Sequence, residues 1–443
     1  MKQFIELYEQ QRQALEAHAP QVMNACRDEA CRRLRSLELP RKGSENYEAT
    51  DLGAVLSPDY GVNLNRLRFP LAERISGFSC AVPALNISPY YIVNDIFHES
   101  DTAWPEGVVV TSLSRAAESH PELLERYYNT LAEGADDAVS LLNTLLAQDG
   151  ILVYVPQGVS LDRPLQFINV FNAAASIMAF RRVLVVLERD AHAAILSCDH
   201  TIDTTREYLS VQTIELHMAE GASLEYYDME ESSALTRRLS SLYARQETGS
   251  NLLVDGITLA NGMTRNDFRI EVDGERCETQ LLGMAIGSDR QHIDNYTHLS
   301  HNAPRCHSHE MFKYSLDDEA VGAFSGKILV KENCPGVDAY QGNRNLCGSP
   351  TAKMYTKPQL EIYTDDVKCA HGATVGQLDQ EALFYMRQRG ISLESARTLL
   401  KQAFMSDVID GVKLPSLRER LRHLVEQRFL GDAALCNTCR LRE

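Results

Sequence analysis

Between Ile151 and about Thr374, short apolar runs in period-two alternation follow one another with no helical stretch between them. The clearest are Leu152-Val-Tyr-Val155, Val183-Leu-Val-Val-Leu187, Ala222-Ser-Leu-Glu-Tyr-Tyr227, Phe268-Arg-Ile-Glu-Val272 and Gln359-Leu-Glu-Ile-Tyr363. Alternation of this kind sends successive side chains to opposite faces of a strand. Turn signals punctuate the runs at Glu220-Gly221, Asp255-Gly256, Asn261-Gly262 and Asp273-Gly274. So long a strand-rich region exceeds an ordinary sandwich, and stacked coils of a β-solenoid suit its size, although no clean sequence repeat marks them.

Both ends of the chain change period. Residues 2–36 read as helix, with Phe4, Leu7, Tyr8, Leu15, Val22, Met23, Cys26 and Leu34 at helical spacing and Pro40 beyond. A second helical stretch is expected over about 120–148, closed by Gly150. After Gly376 three helices are expected: 379–389 before Gly390, Leu393–Ile409 begun by Ser392, and Ser416–Leu430 after Pro415 and before Gly431. The organisation is therefore a mostly helical region 1–150, a β core 151–376 and a helical region 377–443.

The net charge of -17, from 44 Lys and Arg against 61 Asp and Glu, would repel phosphate backbones and anionic membranes, so neither nucleic acid nor membrane is an expected partner. The N-terminal stretch carries charges every few residues and lacks a continuous apolar run, which makes a cytoplasmic location the expectation. The 11 cysteines are odd in number and scattered, so reduced thiols are expected rather than a disulfide framework.

Several patterns could carry chemistry. If the segment 366–371 is extended, Cys369 and His371 share a face, roughly 7 Å apart at two strand rises. That is wide for one ion but suited to flanking a cluster or meeting ligands from another subunit, and thiolate and imidazole both bind iron in iron-sulfur centres. Packing is the plain alternative. His292, His298, His301, His307 and His309 form a histidine-rich run, in which His307 and His309 would share a strand face as metal candidates, or simply hydrogen-bond along the coils. Cys436-Asn-Thr-Cys439 supplies half of a four-thiolate site. Gly322-Ala-Phe-Ser-Gly326-Lys327-Ile328 is one residue short of a phosphate loop and has Ile328 where a magnesium-binding hydroxyl is needed, so ATP binding by this chain is not expected. Gly-x-Ser-x-Gly and His-Glu-x-x-His motifs are absent.

One ordered stretch goes further. Lys357-Pro-Gln-Leu-Glu-Ile-Tyr363, Asp365-Asp-Val-Lys-Cys369-Ala-His371-Gly-Ala-Thr-Val-Gly376 and Leu383-Phe-Tyr-Met-Arg-Gln-Arg389-Gly390-Ile391 together resemble the C-terminal signature of the SufB/SufD family of iron-sulfur cluster assembly scaffolds. Gln291-His-Ile-Asp294, His301, Phe324-Ser-Gly326 and Tyr154-Val-Pro156 extend the resemblance to about 150–410. His371-Gly372-Ala-Thr-Val-Gly376 is similar to the SufD branch, whereas SufB chains usually show Glu-His-Glu-Ala there.

The resemblance implies a right-handed parallel β-helix between helical terminal regions. It also implies a non-catalytic scaffold subunit, which pairs with a SufB-like subunit through the β-helix and docks a SufC-like ATPase on its C-terminal helices. Iron or an iron-sulfur cluster would be held transiently at the subunit interface, beside His371 and near Cys369, with no cofactor in the isolated chain. Leu399, Leu400, Ala403 and Phe404 would be apolar candidates for the ATPase docking surface. Exposed edge strands could let an isolated chain form a homodimer. The alternatives are a SufB-like cluster-holding paralogue, disfavoured by Gly372, and a metal-dependent, carbohydrate-active β-helix enzyme, warranted by fold analogy alone.

Overall fold

The computed structural model describes residues 1–67, 87–100 and 102–431. Strands precede the expected β core: β1 (Ser88–Val93), β2 (Ile96–His98) and β3 (Val109–Ser112). Then come β4 (Ile151–Val155), β5 (Leu165–Phe171), β6 (Ile177–Leu187), β7 (His192–Thr201), β8 (Tyr208–Met218), β9 (Ser223–Glu231), β10 (Thr236–Gln246) and β11 (Asn251–Ala260). The series ends with β12 (Met263–Val272), β13 (Glu278–Gly287), β14 (His292–His301), β15 (His307–Leu316), β16 (Val321–Val330), β17 (Asp338–Cys347), β18 (Lys353–Ile362) and β19 (Lys368–Gly376).

From β4 onward every strand pairs in parallel with the strand two places along, so even strands form one sheet and odd strands the other. This is a parallel β-solenoid of about eight coils. Its interior is the apolar row shared by the two sheets, including Val153, Val185, Ile214, Leu242, Phe268, Ile293, Phe312 and Phe324. Parallel pairing in register stacks each coil's inward residues on those of the coil below, which explains why no sequence repeat is needed: the interior asks only for apolar side chains of compatible volume.

The turn signals hold with one exception. Glu220-Gly221, Asn261-Gly262 and Asp273-Gly274 lie between strands, but Asp255-Gly256 sits in the middle of β11. A side chain at Gly256 would place its Cβ 2.9 Å from the Phe268 ring, so this glycine serves a close interior approach and not a turn. The glycine-rich run from Gly322 to Gly326 is likewise strand β16, with Gly322 facing Met354 and Tyr314, and offers no loop to cradle phosphate.

The expected N-terminal helix is two. The chain breaks at Pro20 between α1 (Lys2–Ala17) and α2 (Gln21–Ser36), because proline cannot continue a helix interior. Among the described residues three short helices follow: α3 (Leu52–Val55), α4 (Leu113–Ser119) and α5 (Pro121–Tyr127). The second expected stretch is also split, since Asn129 turns left-handed (φ 62) and Asp137 opens a new helix, α6 (Ala138–Leu146), by accepting the N–H groups of Val139 and Ser140. These helices pack on the outer face of the even sheet, where Leu184, Val186, Leu209, Val211 and Leu239 meet Leu34, Leu142 and Leu145.

The C-terminal helices match their expected positions: α7 (Gln380–Gln388) capped by Asp379, α8 (Leu393–Gly411) capped by Ser392, and α9 (Pro415–Phe429) with proline in its first turn. The last two cover the outer face of the odd sheet, where Met405, Val408, Ile409, Leu417, Leu421 and Leu424 bury Leu253, Ile257, Leu282 and Met284. The helical regions thus clad opposite walls of the solenoid and leave its C-terminal end open.

Candidate functional site at the open end of the solenoid

Sheet order makes β18 and β19 the terminal strands of their sheets. Each finds a parallel partner on one side, β16 and β17 respectively, and presents its other side to solvent. Burial falls off accordingly: β17 is largely buried, β18 half-buried, and β19 exposed along nearly its whole length. Such edges carry rows of free N–H and C=O groups ready to pair with another strand. Ile362, Tyr363 and Val375 add exposed apolar side chains to the same end.

Register decides which way the candidate residues point. Ala339, a member of the interior core, pairs with Cys369, and the fully buried Gln341 pairs with His371. Cys369 and His371 therefore continue the inward row at its last, uncovered position. Cys369 is half-buried against the interior and burial raises its thiol pKa, whereas His371 is exposed. Sequence reasoning put both residues on one face; it did not find what lies beneath them. Gln341 pairs in turn with Glu310, and its Nε2 donates to Glu310 Oε2 at 3.0 Å. Thr297 Oγ1 donates to Glu310 Oε1 at 2.5 Å. Glu310 is fully buried, and desolvation pushes its pKa up to about 7. Gln341 Oε1 has no hydrogen-bond partner among the described residues. A polar file of Glu310, Gln341 and His371 thus runs from the solenoid interior to its mouth. Part of the signal was in the alternation: Glu310 stands in an inward row that continues as Phe312, Tyr314 and Leu316, whereas Gln341 is followed inward by the equally polar Asn343 and Asn345.

The other histidines separate into structural roles. His301 is buried, shares a 2.9 Å hydrogen bond with Ser308, and is kept neutral by burial, with a pKa lowered to about 4. His298 is lowered to about 4 for the same reason. His292 lies 2.9 Å from Thr50 Oγ1, and Thr50 also donates to Asp294, which binds Arg265 at 2.7 Å. His307 and His309 do share the outer face of β15, where the His309 ring stacks on Tyr340 at 5.4 Å. Among the described residues, no group of three or more His, Cys, Asp or Glu side chains is arranged to hold a metal ion, so any ion at His371 or His309 would need ligands from elsewhere. Cys436 and Cys439 lie outside the described residues.

On α8 the four docking candidates divide. Leu399 and Ala403 face solvent one helical turn apart, and Leu400 is half-buried. Phe404 turns toward the solenoid, with Lys313 Nζ 4.8 Å from its ring centre and bonded to its carbonyl oxygen at 2.7 Å. The neighbouring α7 buries only Leu383 and exposes Phe384 and Tyr385. A cleft of about 430 Å³ lined by Arg126, Tyr127, Glu188 and His217 belongs to the first coils, remote in the stacking order from β19. No helix among the described residues is long and apolar enough to cross a membrane.

Comparison with known proteins bears on this geometry. Residues 169–404 match the family model described as SUF system FeS cluster assembly, SufBD core domain, and residues 1–167 match that of the SufBD protein N-terminal region. An iron-sulfur cluster assembly SufBD family protein of Synechocystis sp. is 28% identical over 409 residues, covering 90% of this chain and 89% of its own. The iron-sulfur cluster assembly protein SufD of Escherichia coli is 25% identical over 403 residues, 89% of this chain and 90% of that one. The Bacillus subtilis protein of the same name is 25% identical over 333 residues, 73% and 74% of the two chains.

Proposed function

The chain belongs to the SufBD family of the SUF iron-sulfur assembly system, and we propose on that premise that it is a SufD-type scaffold subunit whose open solenoid end is completed by a SufB-like partner. The observation that carries this reading is the edge of β19 left unpaired among the described residues, which brings the inward-row residues Cys369 and His371 to a surface instead of sealing them inside. A strand-bearing partner seated there would extend both sheets, bury Tyr363 and Val375, and supply the ligands that His371 lacks among the described residues. Iron or a new cluster is then cargo held between subunits, with the His371 imidazole and the Cys369 thiol as this chain's contribution.

The exposed Leu399 and Ala403, with Phe384 and Tyr385 of α7, are the surface on which a SufC-like ATPase docks. ATP hydrolysis belongs to that partner; this chain transmits its motion and works in the cytoplasm. A second copy of the chain is the alternative occupant of the free edges when the SufB-like subunit is missing.

Replacing His371 with Ala tests the ligand role. With the SufB-like and SufC-like partners supplied, the variant should fold and assemble normally while iron-sulfur cluster formation drops severalfold, measured by iron and sulfide content of the purified complex. Undiminished cluster formation would remove His371 from the site. Leu399→Glu should separately weaken retention of the ATPase on a tagged complex, and undisturbed retention would move the docking surface elsewhere.

A further inference from the structure

Two thiols inside the solenoid stack on successive coils and share one hydrogen-bond acceptor. Cys277 and Cys306 each occupy the residue just before an odd strand, β13 and β15, in successive coils. Glu278 pairs with His307, and the His307 N–H donates to the Cys277 carbonyl oxygen at 2.9 Å, so the two cysteines are stacked in register. In-register parallel neighbours lie roughly 4.8 Å apart, inside the Cα separation that a disulfide spans. The sulfurs also converge: both Sγ atoms donate to one acceptor, the carbonyl oxygen of Gly274, at 3.2 Å each. Gly274 makes that corner tight, since a Cβ there would lie 1.9 Å from the Thr248 nitrogen.

We propose that Cys277 and Cys306 are an oxidisable pair, closed by a hydroperoxide into a reversible disulfide that ties two successive coils together. Both side chains are buried, but each is flanked along the chain by exposed residues, Arg276 and Glu278 for one, Arg305 and His307 for the other. A single turn of backbone thus separates the pair from solvent. The roles are asymmetric. The Ser250 hydroxyl lies 3.6 Å from the Cys277 sulfur, and the neighbouring Cys306 and Ser250 side chains lower the Cys277 pKa, while the closeness of Cys277 and burial raise that of Cys306. Cys277 is accordingly the nucleophile and Cys306 the resolving thiol. The Cys277 thiolate attacks one peroxide oxygen, the O–O bond breaks, and hydroxide leaves a sulfenic acid. The Cys306 sulfur then attacks that sulfur, the S–O bond breaks, and water departs with the thiol proton. In sum, two thiols and one hydrogen peroxide give one disulfide and two waters.

The full-length chain, exposed to hydrogen peroxide at neutral pH and mapped by mass spectrometry after denaturing alkylation, should lose two hydrogens at a Cys277–Cys306 crosslink, and dithiothreitol should restore them. Cys306→Ser should stop at the sulfenic acid, so that dimedone labels Cys277; Cys277→Ser should leave Cys306 a thiol. Serine is sterically acceptable because Ser250 holds the equivalent place one coil earlier. Recovery of both residues as thiols, under exposure that fully oxidises the half-buried Cys347 and Cys369, would overturn the proposal. So would equal dimedone labelling of the two single variants. The wild-type mapping needs no variant to fold.

Discussion

Asp255 shows how much one residue can weigh in a solenoid wall. It lies on the outer row of β11 between Tyr227 and Leu282, both members of the core under α8 and α9. Neither carboxyl oxygen has a hydrogen-bond partner among the described residues, and burial alone raises its pKa to about 8. Desolvation is the sole cause of that shift, with no charged neighbour among the described residues offsetting it. The folded chain holds this proton between pH 4 and about 8, where an unfolded aspartate with a pKa of about 3.9 has lost it. The folded pKa being the higher, stability is greatest at low pH and falls as pH rises through this window. Each unit weighs about 1.4 kcal/mol and about three units lie between the unfolded pKa and pH 7, so Asp255→Asn should stabilise the chain by on the order of 4 kcal/mol near pH 7 and hardly at pH 4. Urea denaturation at the two pH values checks this; equal midpoint shifts at both would refute it.

At the scale of elements, β19 differs from the odd strands before it in having no strand beyond it among the described residues. Its inward row repeats the pattern of β17, yet Val375 is 51% exposed where its register partner Asn345 is buried. A charge placed there meets water in the free chain and a neighbouring strand in an assembly. Val375→Lys is therefore expected to weaken association at this edge at least tenfold, about 1.4 kcal/mol, while leaving the unfolding midpoint within ~0.5 kcal/mol. Sizing of the chain alone and with its SufB-like partner reads the first effect and thermal unfolding the second. Unchanged association would take β19 out of the interface. The C-terminal helices make the complementary point: α8 spends Met405, Val408 and Ile409 on its own fold, which leaves Leu399 and Ala403 for a partner.

Across the whole molecule, the N-terminal helices are tied to the solenoid by a buried ion pair. Arg182 of β6 and Glu215 of β8 are both fully buried, 2.6 Å apart. Glu215 accepts the backbone N–H groups of Asn129 and Leu131, each at 2.9 Å, and Arg182 donates to the Asn129 side chain at 2.8 Å. The left-handed turn after α5 is thus held from below by two coils. Glu215→Ala strands the arginine in a dry environment and should cost about 3–5 kcal/mol, whereas Arg182→Met with Glu215→Leu should recover much of the loss. Chemical denaturation of the three proteins measures both; a single variant as stable as the parent would show that the clamp carries no weight.

The sequence alone determined the strand-rich middle, the helical ends, the cap at Ser392, and the shared face of Cys369 and His371, because each follows from local periodicity or from a side chain meeting its own backbone, whereas the solenoid was expected from the length of the strand-rich region and from the family resemblance. It misplaced Asp255-Gly256 as a turn, since a local turn preference gave way to the close approach of Phe268 from the next strand inward. It was silent on the Glu310, Gln341 and His371 file and on the pairing of Cys277 with Cys306. Residues 29 to 31 positions apart come into register only when coils stack, and no nearby sequence encodes which residue lands on which. Tertiary structure likewise decided that His371 is exposed: its inward position would have buried it in any earlier coil, and only the end of the stack leaves it open.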